Sequence, residues 1–150
     1  MLTEVLKPEC IRLQVEVEDW EGAIRAGGDL MVKAGFCEPR YVDAMVQAVR
    51  DLGPYMVLAP GIALAHARPE DGMLKVGISL VTLAQPVEFG SEANDPVELV
   101  IAFGGVDKTK HVGLLQELSQ LLVEESNQRK LKTAGSVQDV LQVLDGPPHT

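Results

Sequence analysis

Short apolar segments of strand type alternate with amphipathic helical segments along this chain, and this order constrains the fold more than any other feature. Ile11–Val15 alternates apolar and polar residues, which is the pattern of a half-buried strand. The apolar runs at 55–59, 75–84 and 97–103 are rich in residues that favour strands. Helical patterns lie between and after these runs, so the chain predicts an α/β sandwich: a small mixed β-sheet with helices on both faces.

Capping residues predict where the helices begin. Aspartate and serine side chains accept hydrogen bonds from the first turn of a helix, and proline fits its first position. A glycine or a Gly-Pro pair predicts where a helix ends. The predicted helices cover 20–34 after Asp19, 39–52 from Pro39, 108–124 after Asp107, 127–134, and 137–144 after Ser136.

We interpret the whole chain, 1–150, as a single domain with a flexible tail over 146–150. Its length is ordinary for one domain, and 46% hydrophobic and 23% charged residues are typical of a soluble globular protein. No apolar run approaches the ~18–20 residues that span a bilayer, and residues 1–11 lack the apolar core of a signal peptide. We therefore expect a cytoplasmic protein without direct membrane insertion.

The formal net charge is −9, from 13 basic and 22 acidic residues. Binding of nucleic acid requires Lys and Arg to neutralise phosphates, so this composition argues against a nucleic-acid partner. An acidic surface suits a basic partner protein, although acidity also simply keeps a protein soluble.

His66 lies in the segment 59–72 (APGIALAHARPEDG), which we interpret as a loop between two strands. Prolines and glycines shape this loop, and functional groups are often found on such loops. The neighbouring Ala65 and Ala67 are small and leave the imidazole accessible to a large partner. The guanidinium of the nearby Arg68 would repel a metal cation but suits a phosphate, which it binds through two parallel hydrogen bonds.

His111 is the second candidate. It lies one turn into the helix that follows Asp107, near free backbone N–H groups and the positive end of the helix dipole. An imidazole at this place is able to donate a hydrogen bond to a phosphoryl oxygen. From spacing alone, a surface or structural role is favoured for both histidines. The third histidine, His149, lies in the tail.

Other kinds of site find little support in the sequence. It contains no G-x-S-x-G nucleophile elbow, no P-loop and no ligand-spaced residue pair for zinc. Cys10 and Cys37 match neither a zinc pattern nor a C-x-x-C redox motif, and we interpret them as ordinary thiols. We therefore expect no metal and no cofactor.

Several separated motifs resemble the enzyme IIA family of the bacterial sugar phosphotransferase system, in its mannitol–fructose type. The segment PGIALAHARPEDG resembles the loop with that family's phosphorylated histidine, and KHVGLL resembles its second histidine motif. The likeness is closer to the ascorbate-specific branch and covers about 11–144. The segments that carry it are IRLQ at 11–14, EPRY at 38–41, LGPY at 52–55, SLVTL at 79–83 and NDPV at 94–97.

The resemblance implies roles for four residues. His66 would be the phosphorylated nucleophile, His111 would hydrogen-bond the phosphoryl group, and Arg68 would neutralise its charge. Arg50 lies as far before His66 as the active-site arginine of the mannitol type, although the surrounding motif differs. The residues that flank the first histidine also depart from the family pattern, since alanine replaces proline before it and glycine after it.

The resemblance also implies the partners. The histidine would accept a phosphoryl group from the phosphocarrier HPr and pass it to enzyme IIB, which serves a membrane permease, IIC. Such a transfer needs a neutral imidazole and uses no metal or nucleotide. We expect the acidic surface to steer the basic face of HPr, and an exposed Ile62 and Leu64 to form the apolar centre of that contact.

Three interpretations stay open at this point. The first is a transport component for a sugar that the sequence does not identify, with ascorbate suggested by the branch. The second is a regulatory IIA-like protein whose phosphorylation state is read by another protein. The third is a binding domain without phosphorylation, which would require His66 to be buried or blocked. Neighbouring genes for IIB and IIC would favour the first.

Overall fold

The computed structural model describes residues 5–144 and arranges them around one five-stranded sheet. The strands are β1 (Ile11–Val15), β2 (Val57–Ala59), β3 (Ile62–Ala65), β4 (Gly77–Val87) and β5 (Val97–Gly104). The helices are α1 (Trp20–Lys33), α2 (Pro39–Leu52), α3 (Lys108–Val123), α4 (Glu125–Lys132) and α5 (Val137–Leu144). Short 3-10 turns lie at Pro8–Cys10 and Pro69–Asp71. The tail predicted for 146–150 lies outside the described residues.

The sheet is mixed, as predicted, and its strand order is β1-β4-β5-β3-β2. β1 is parallel to β4 and β3 is parallel to β5, whereas the β4–β5 and β2–β3 pairs are antiparallel. In the β3–β5 pair, Ile62 lies opposite Leu99 and Ala65 opposite Ala102. These two strands therefore run in the same direction and end at the same edge of the sheet.

Helices cover both faces of this sheet, which confirms the predicted α/β sandwich. α1 and α2 pack on one face, where Ile24 and Met45 are buried together with Ala63 of β3. α3, α4 and α5 pack on the other, where Leu118 is buried together with Ile62 of β3. Successive residues of β3 therefore face opposite cores, and a strand covered on both sides must be apolar throughout.

The helices begin near the predicted caps. The side chains of Asp19, Asp107 and Ser136 each accept a hydrogen bond from a backbone N–H in the following first turn. Each cap satisfies an N–H group that the helix itself leaves without a partner. None of the helices within residues 5–144 is both long and apolar enough to cross a membrane.

The prediction of an unbroken loop over 59–72 is wrong. The segment Ile62–Ala65 forms β3, and Ile62 and Leu64 are only 0% and 1% exposed. These two side chains are therefore not the exposed apolar centre expected for a partner contact. β3 has a strand on each side and helices on each face, so all four of its residues are apolar and the sequence shows no alternation of apolar and polar residues. A run of only four residues is also too short to predict a strand.

The predicted buried strand over 55–59 is shorter and more exposed than expected. Only Val57–Ala59 forms a strand, and Leu58 within it is 54% exposed. This strand, β2, lies at the edge of the sheet, where part of its surface meets solvent.

Two glycines provide a test of the helix packing. A Cβ atom at Gly28 in α1 would lie 2.7 Å from both methyl groups of Val42 in α2, whereas one at Gly113 in α3 would meet nothing within 4 Å. Gly28→Ala is expected to lower the free energy of unfolding by about 1–3 kcal/mol, because the helices must move apart. Gly113→Ala is expected to raise it by about 0.5–1 kcal/mol through helix propensity. Urea unfolding measures both, and effects of the same sign would contradict the close approach of α1 and α2.

Candidate active site

The two predicted histidines meet at the sheet edge where β3 and β5 end. His66 directly follows β3, and His111 lies in the first turn of α3, shortly after β5. The centroids of the two imidazole rings are 5.4 Å apart, with an angle of 60° between the ring planes. The parallel pairing of the two strands thus brings together two side chains that are far apart in the sequence.

Two aromatic side chains that the sequence analysis did not single out border His66. The ring centroid of Phe103 lies 5.0 Å from that of His66 and 5.4 Å from that of His111. The ring of Tyr55 packs edge-on against that of His66, with 5.7 Å between the ring centroids. The Tyr55 hydroxyl donates a hydrogen bond to the His66 carbonyl at 3.3 Å. The sequence signal for Phe103 was its place directly before the glycine pair at the end of β5.

The hydrogen bond at His66 Nδ1 fixes the form of its imidazole. Nδ1 lies 2.7 Å from the backbone carbonyl oxygen of Leu64. A carbonyl oxygen only accepts hydrogen bonds, so Nδ1 must carry the proton. The neutral ring therefore keeps its free lone pair on Nε2, and this is the nitrogen that is able to act as a nucleophile.

Burial favours the neutral form of both imidazoles. Burial lowers the pKa of His66, and the hydrogen bond to the Leu64 carbonyl offsets part of this effect. Burial also lowers the pKa of His111, and the charge of a protonated His66 lowers it further. Protonation of one ring thus opposes protonation of the other.

The start of α3 holds His111 in place. Its backbone N–H donates to the carbonyl of the capping residue Asp107 at 3.0 Å. Gly105 permits the close turn before the helix, because a Cβ atom there would lie 2.5 Å from the His111 backbone nitrogen. The ring nitrogen Nδ1 of His111 is buried and has no hydrogen-bond partner within residues 5–144.

Each of the two predicted arginines is paired with a carboxylate. Arg68 lies 3.3 Å from Asp71 and 3.9 Å from Glu70, and its side chain is 75% exposed. Arg50, in the last turn of α2, donates to Glu21 at the start of α1. The structure thus brings the rings of the two histidines together. The guanidinium groups of Arg50 and Arg68 are instead paired with carboxylates.

A cleft is lined by charged residues of both signs that lie close to the two histidines in the sequence. Its volume is about 490 Å³, and its charged lining residues are Arg40, Arg68, Lys108, Glu70 and Asp107. Arg68 closely follows His66, and Lys108 closely precedes His111. The three cationic side chains outnumber the two carboxylates, so the cleft has a small positive excess in a chain that is acidic as a whole.

The described part of the chain, residues 5–144, shows neither a metal-binding cluster nor a reactive thiol. Among residues 5–144, no group of three or more His, Cys, Asp or Glu side chains is arranged to hold a metal ion. Cys10 and Cys37 are buried and form no disulfide. Burial raises the pKa of both thiols, to about 11 for Cys37, so neither is a thiolate nucleophile at neutral pH.

The sequence matches a family model for EIIA 2 of the phosphoenolpyruvate-dependent sugar phosphotransferase system over residues 4–146. It is also 46% identical, over 137 residues, to the ascorbate-specific PTS system EIIA component of Shigella boydii. That match covers 90% of this chain and 88% of the relative. The predicted resemblance to this family and to its ascorbate branch is thereby confirmed.

Solved structures show the same similarity. The cryptic mannitol-specific enzyme IIA of Escherichia coli superposes with a TM-score of 0.87 at 34% identity, covering 95% of this chain and 97% of that one. The mannitol enzyme IIA of E. coli, solved in complex with phosphorylated enzyme IIB, superposes with a TM-score of 0.82 at 33% identity. This second match covers 95% of this chain and 100% of that one.

The lowered pKa values predict how stability depends on pH. Below pH 6.5 the histidines of the unfolded chain take up protons, whereas His66 and His111 in the folded chain resist protonation. Stability is therefore expected to fall as the pH decreases from about 6.5 through the pKa values of the folded state. NMR titration of the ring carbons, together with urea unfolding between about pH 5 and 7.5, measures both effects.

The double variant His66→Ala/His111→Ala serves as the control. Its unfolding free energy should depend less on pH in this range than that of the unmodified chain. An imidazole of His66 that titrates above pH 6.5 would contradict the role of burial.

Proposed function

Since this chain belongs to the EIIA 2 family of the phosphoenolpyruvate-dependent sugar phosphotransferase system, we propose that it is a phosphoryl carrier that uses His66. It accepts a phosphoryl group from phospho-HPr on Nε2 and passes it to enzyme IIB. The observation that carries this proposal is the 2.7 Å contact between His66 Nδ1 and the Leu64 carbonyl, which leaves the lone pair on Nε2.

The proposed reaction consists of two in-line transfers. In the first, the Nε2 lone pair attacks the phosphorus of phosphohistidine in HPr, and the electron pair of the breaking P–N bond returns to the HPr imidazole. In the second, a thiolate or a neutral imidazole on IIB attacks the same phosphorus, and the electron pair of the new leaving bond returns to His66 Nε2. Alignment and charge stabilisation are then the main tasks of the protein.

The Leu64 carbonyl serves both states of His66. In the free enzyme it fixes the tautomer with the proton on Nδ1. Once Nε2 carries the phosphoryl group, the ring keeps this proton, and the carbonyl continues to accept it. The same hydrogen bond thus orients the nucleophile before transfer and stabilises the modified ring afterwards.

We assign to His111 the role of hydrogen-bonding the phosphoryl group. Its ring lies 5.4 Å from that of His66, and its buried Nδ1 lacks a partner within residues 5–144. A buried polar atom without a partner is unfavourable. A phosphoryl oxygen that accepts from this ring would remove that cost, and the N-terminus of α3 adds favourable dipole charge.

We assign charge stabilisation to Arg68 and Arg50. Both side chains are at least half exposed, so each is able to leave its carboxylate partner for a phosphoryl oxygen. Arg68 lines the cleft together with Arg40 and Lys108, and it lies two residues after His66 in the sequence. A planar guanidinium binds two phosphate oxygens at once, which suits this role.

We further propose that the carrier works in the cytoplasm, in a system that takes up ascorbate or a related sugar through a membrane IIC. The support is the 46% identity to a relative named as ascorbate-specific. A structural neighbour named as a mannitol IIA was solved with phosphorylated IIB, which supports IIB as the acceptor here. The proposed transfer uses no metal and no nucleotide.

Phosphorylation of single-histidine variants tests the carrier role. The purified chain is mixed with phosphoenolpyruvate, enzyme I and HPr, and its intact mass is recorded over time. The unmodified chain is expected to gain one acid-labile phosphoryl group, and His66→Ala to gain none. His111→Ala should be modified roughly 100-fold more slowly, because one donor to the phosphoryl group is lost.

An active IIA from another system serves as the control for the donor proteins. If that control is modified and the unmodified chain is not, the carrier role is wrong. Phosphorus–nitrogen coupling in ¹⁵N-labelled protein identifies the modified nitrogen, and attachment at Nδ1 would overturn the assignment of Nε2.

The roles of the arginines are tested with a matched variant. Arg50 and Arg25 both pair with Glu21, and Arg25 also pairs with Asp43. Arg50→Gln and Arg68→Gln are each expected to slow phosphoryl transfer about tenfold, because a charge-assisted hydrogen bond is lost. Arg25→Gln removes an ion pair to the same carboxylate and should change the rate less than about twofold. Equal losses in Arg50→Gln and Arg25→Gln would remove Arg50 from the site.

A further inference from the structure

The hydroxyl of Tyr41 links two backbone segments that border the active histidine. Tyr41 extends from α2 and is fully buried. Its oxygen accepts a hydrogen bond from the backbone N–H of Ala67 at 3.0 Å. The hydroxyl donates to the carbonyl of Phe103 at 2.9 Å, and the Ala67 carbonyl, at 3.3 Å, is a second acceptor.

Both linked segments contact His66 directly. Ala67 is the next residue in the chain, so its backbone position determines where the His66 Cα–Cβ bond points. Phe103 packs its ring against the imidazoles of both His66 and His111. The single hydroxyl of Tyr41 therefore joins the backbone that follows His66 to the backbone of Phe103, whose ring packs against His66.

Gly104 provides the space that this hydroxyl occupies. A Cβ atom at Gly104 would lie 2.7 Å from the Tyr41 oxygen, so a larger residue there would displace it. Burial raises the pKa of the Tyr41 phenol far above its ordinary range, so the hydroxyl keeps its proton and remains a donor. The hydrogen bonds of this hydroxyl with Ala67 and Phe103 are shielded from water. Removal of the hydroxyl would therefore leave buried backbone groups without a partner.

We propose that Tyr41 is a positioning residue for the phosphoryl carrier: its hydroxyl holds Ala67 and Phe103 so that His66 keeps its Nδ1 proton on the Leu64 carbonyl. This inference rests on the proposed function for its effect on rate, but the effect on the imidazole itself is independent of it. Without the hydroxyl, the ring gains other orientations, and in those the proton is free to move to Nε2. A ring protonated on Nε2 has no lone pair there for attack on phosphorus.

The variant Tyr41→Phe keeps the ring and removes only the hydroxyl. ¹⁵N chemical shifts of the His66 ring report the tautomer directly. The unmodified chain is expected to show the Nδ1–H form, and Tyr41→Phe a measurable share of the Nε2–H form. The rate of phosphoryl transfer from HPr should fall about tenfold, because a small misalignment of reacting atoms is costly.

Ser79→Ala is the matched control, because it also removes a buried hydroxyl that donates to a backbone carbonyl. Ser79 donates to Gly27 at 2.7 Å, in the packing of α1 on the sheet, and is 0% exposed. It should lower stability without changing the His66 tautomer or the transfer rate. A tautomer that stays unchanged in Tyr41→Phe, or equal rate losses in the two variants, would overturn the positioning role.

The two proposals fail in different ways. If the unmodified chain is not phosphorylated, the carrier role is wrong, and the tautomer comparison still decides whether Tyr41 positions His66. If the unmodified chain is phosphorylated, and Tyr41→Phe has the same transfer rate and the same His66 tautomer, the carrier role stands and the positioning role is wrong.

Discussion

The parallel pairing of β3 with β5 is the interaction on which the site depends. Because the two strands run in the same direction, the residues that follow them lie at one edge of the sheet. His66 leaves β3 there, and α3 begins with His111 just after β5. Antiparallel pairing would place the two histidines at opposite edges of the sheet. The strand order thus places the two rings close together, with 5.4 Å between their centroids, and Phe103 packs against both of them.

Burial of β3 on both faces explains the environment of His66. Ile62 and Ala63 face different cores, so the strand must be apolar and carries no charge toward its end. His66 is the first polar side chain after this strand, at the point where complete burial becomes partial. Desolvation therefore acts on its imidazole and lowers the pKa. The position of His66 in the fold thus favours the neutral form of its ring.

Much of this arrangement could be predicted from local chemistry. The caps at Asp19 and Asp107 act within one helical turn, so their sequence pattern is sufficient to place α1 and α3. Strand β3 could not be predicted in this way, because a four-residue apolar run between Pro-Gly and a histidine resembles a shaped loop. The contacts of Tyr41 with Ala67 and Phe103 join residues far apart in the chain, and no local pattern encodes them. Such contacts depend on the packing of α2 against the sheet, which only the folded chain defines.

The site separates alignment from charge. The proton of His66 is held by the Leu64 carbonyl, and the backbone after His66 is held by the Tyr41 hydroxyl, both of which are neutral groups. These contacts exist before any phosphoryl group arrives, so alignment costs nothing at the moment of transfer. The guanidinium of Arg68, by contrast, already pairs with Asp71 and is largely exposed. In the proposed transfer, a phosphoryl group would compete with that carboxylate for the cation, so charge stabilisation would be weaker and exchangeable. This combination suits a carrier, because a phosphoryl group that is held by exchangeable charges is readily passed on.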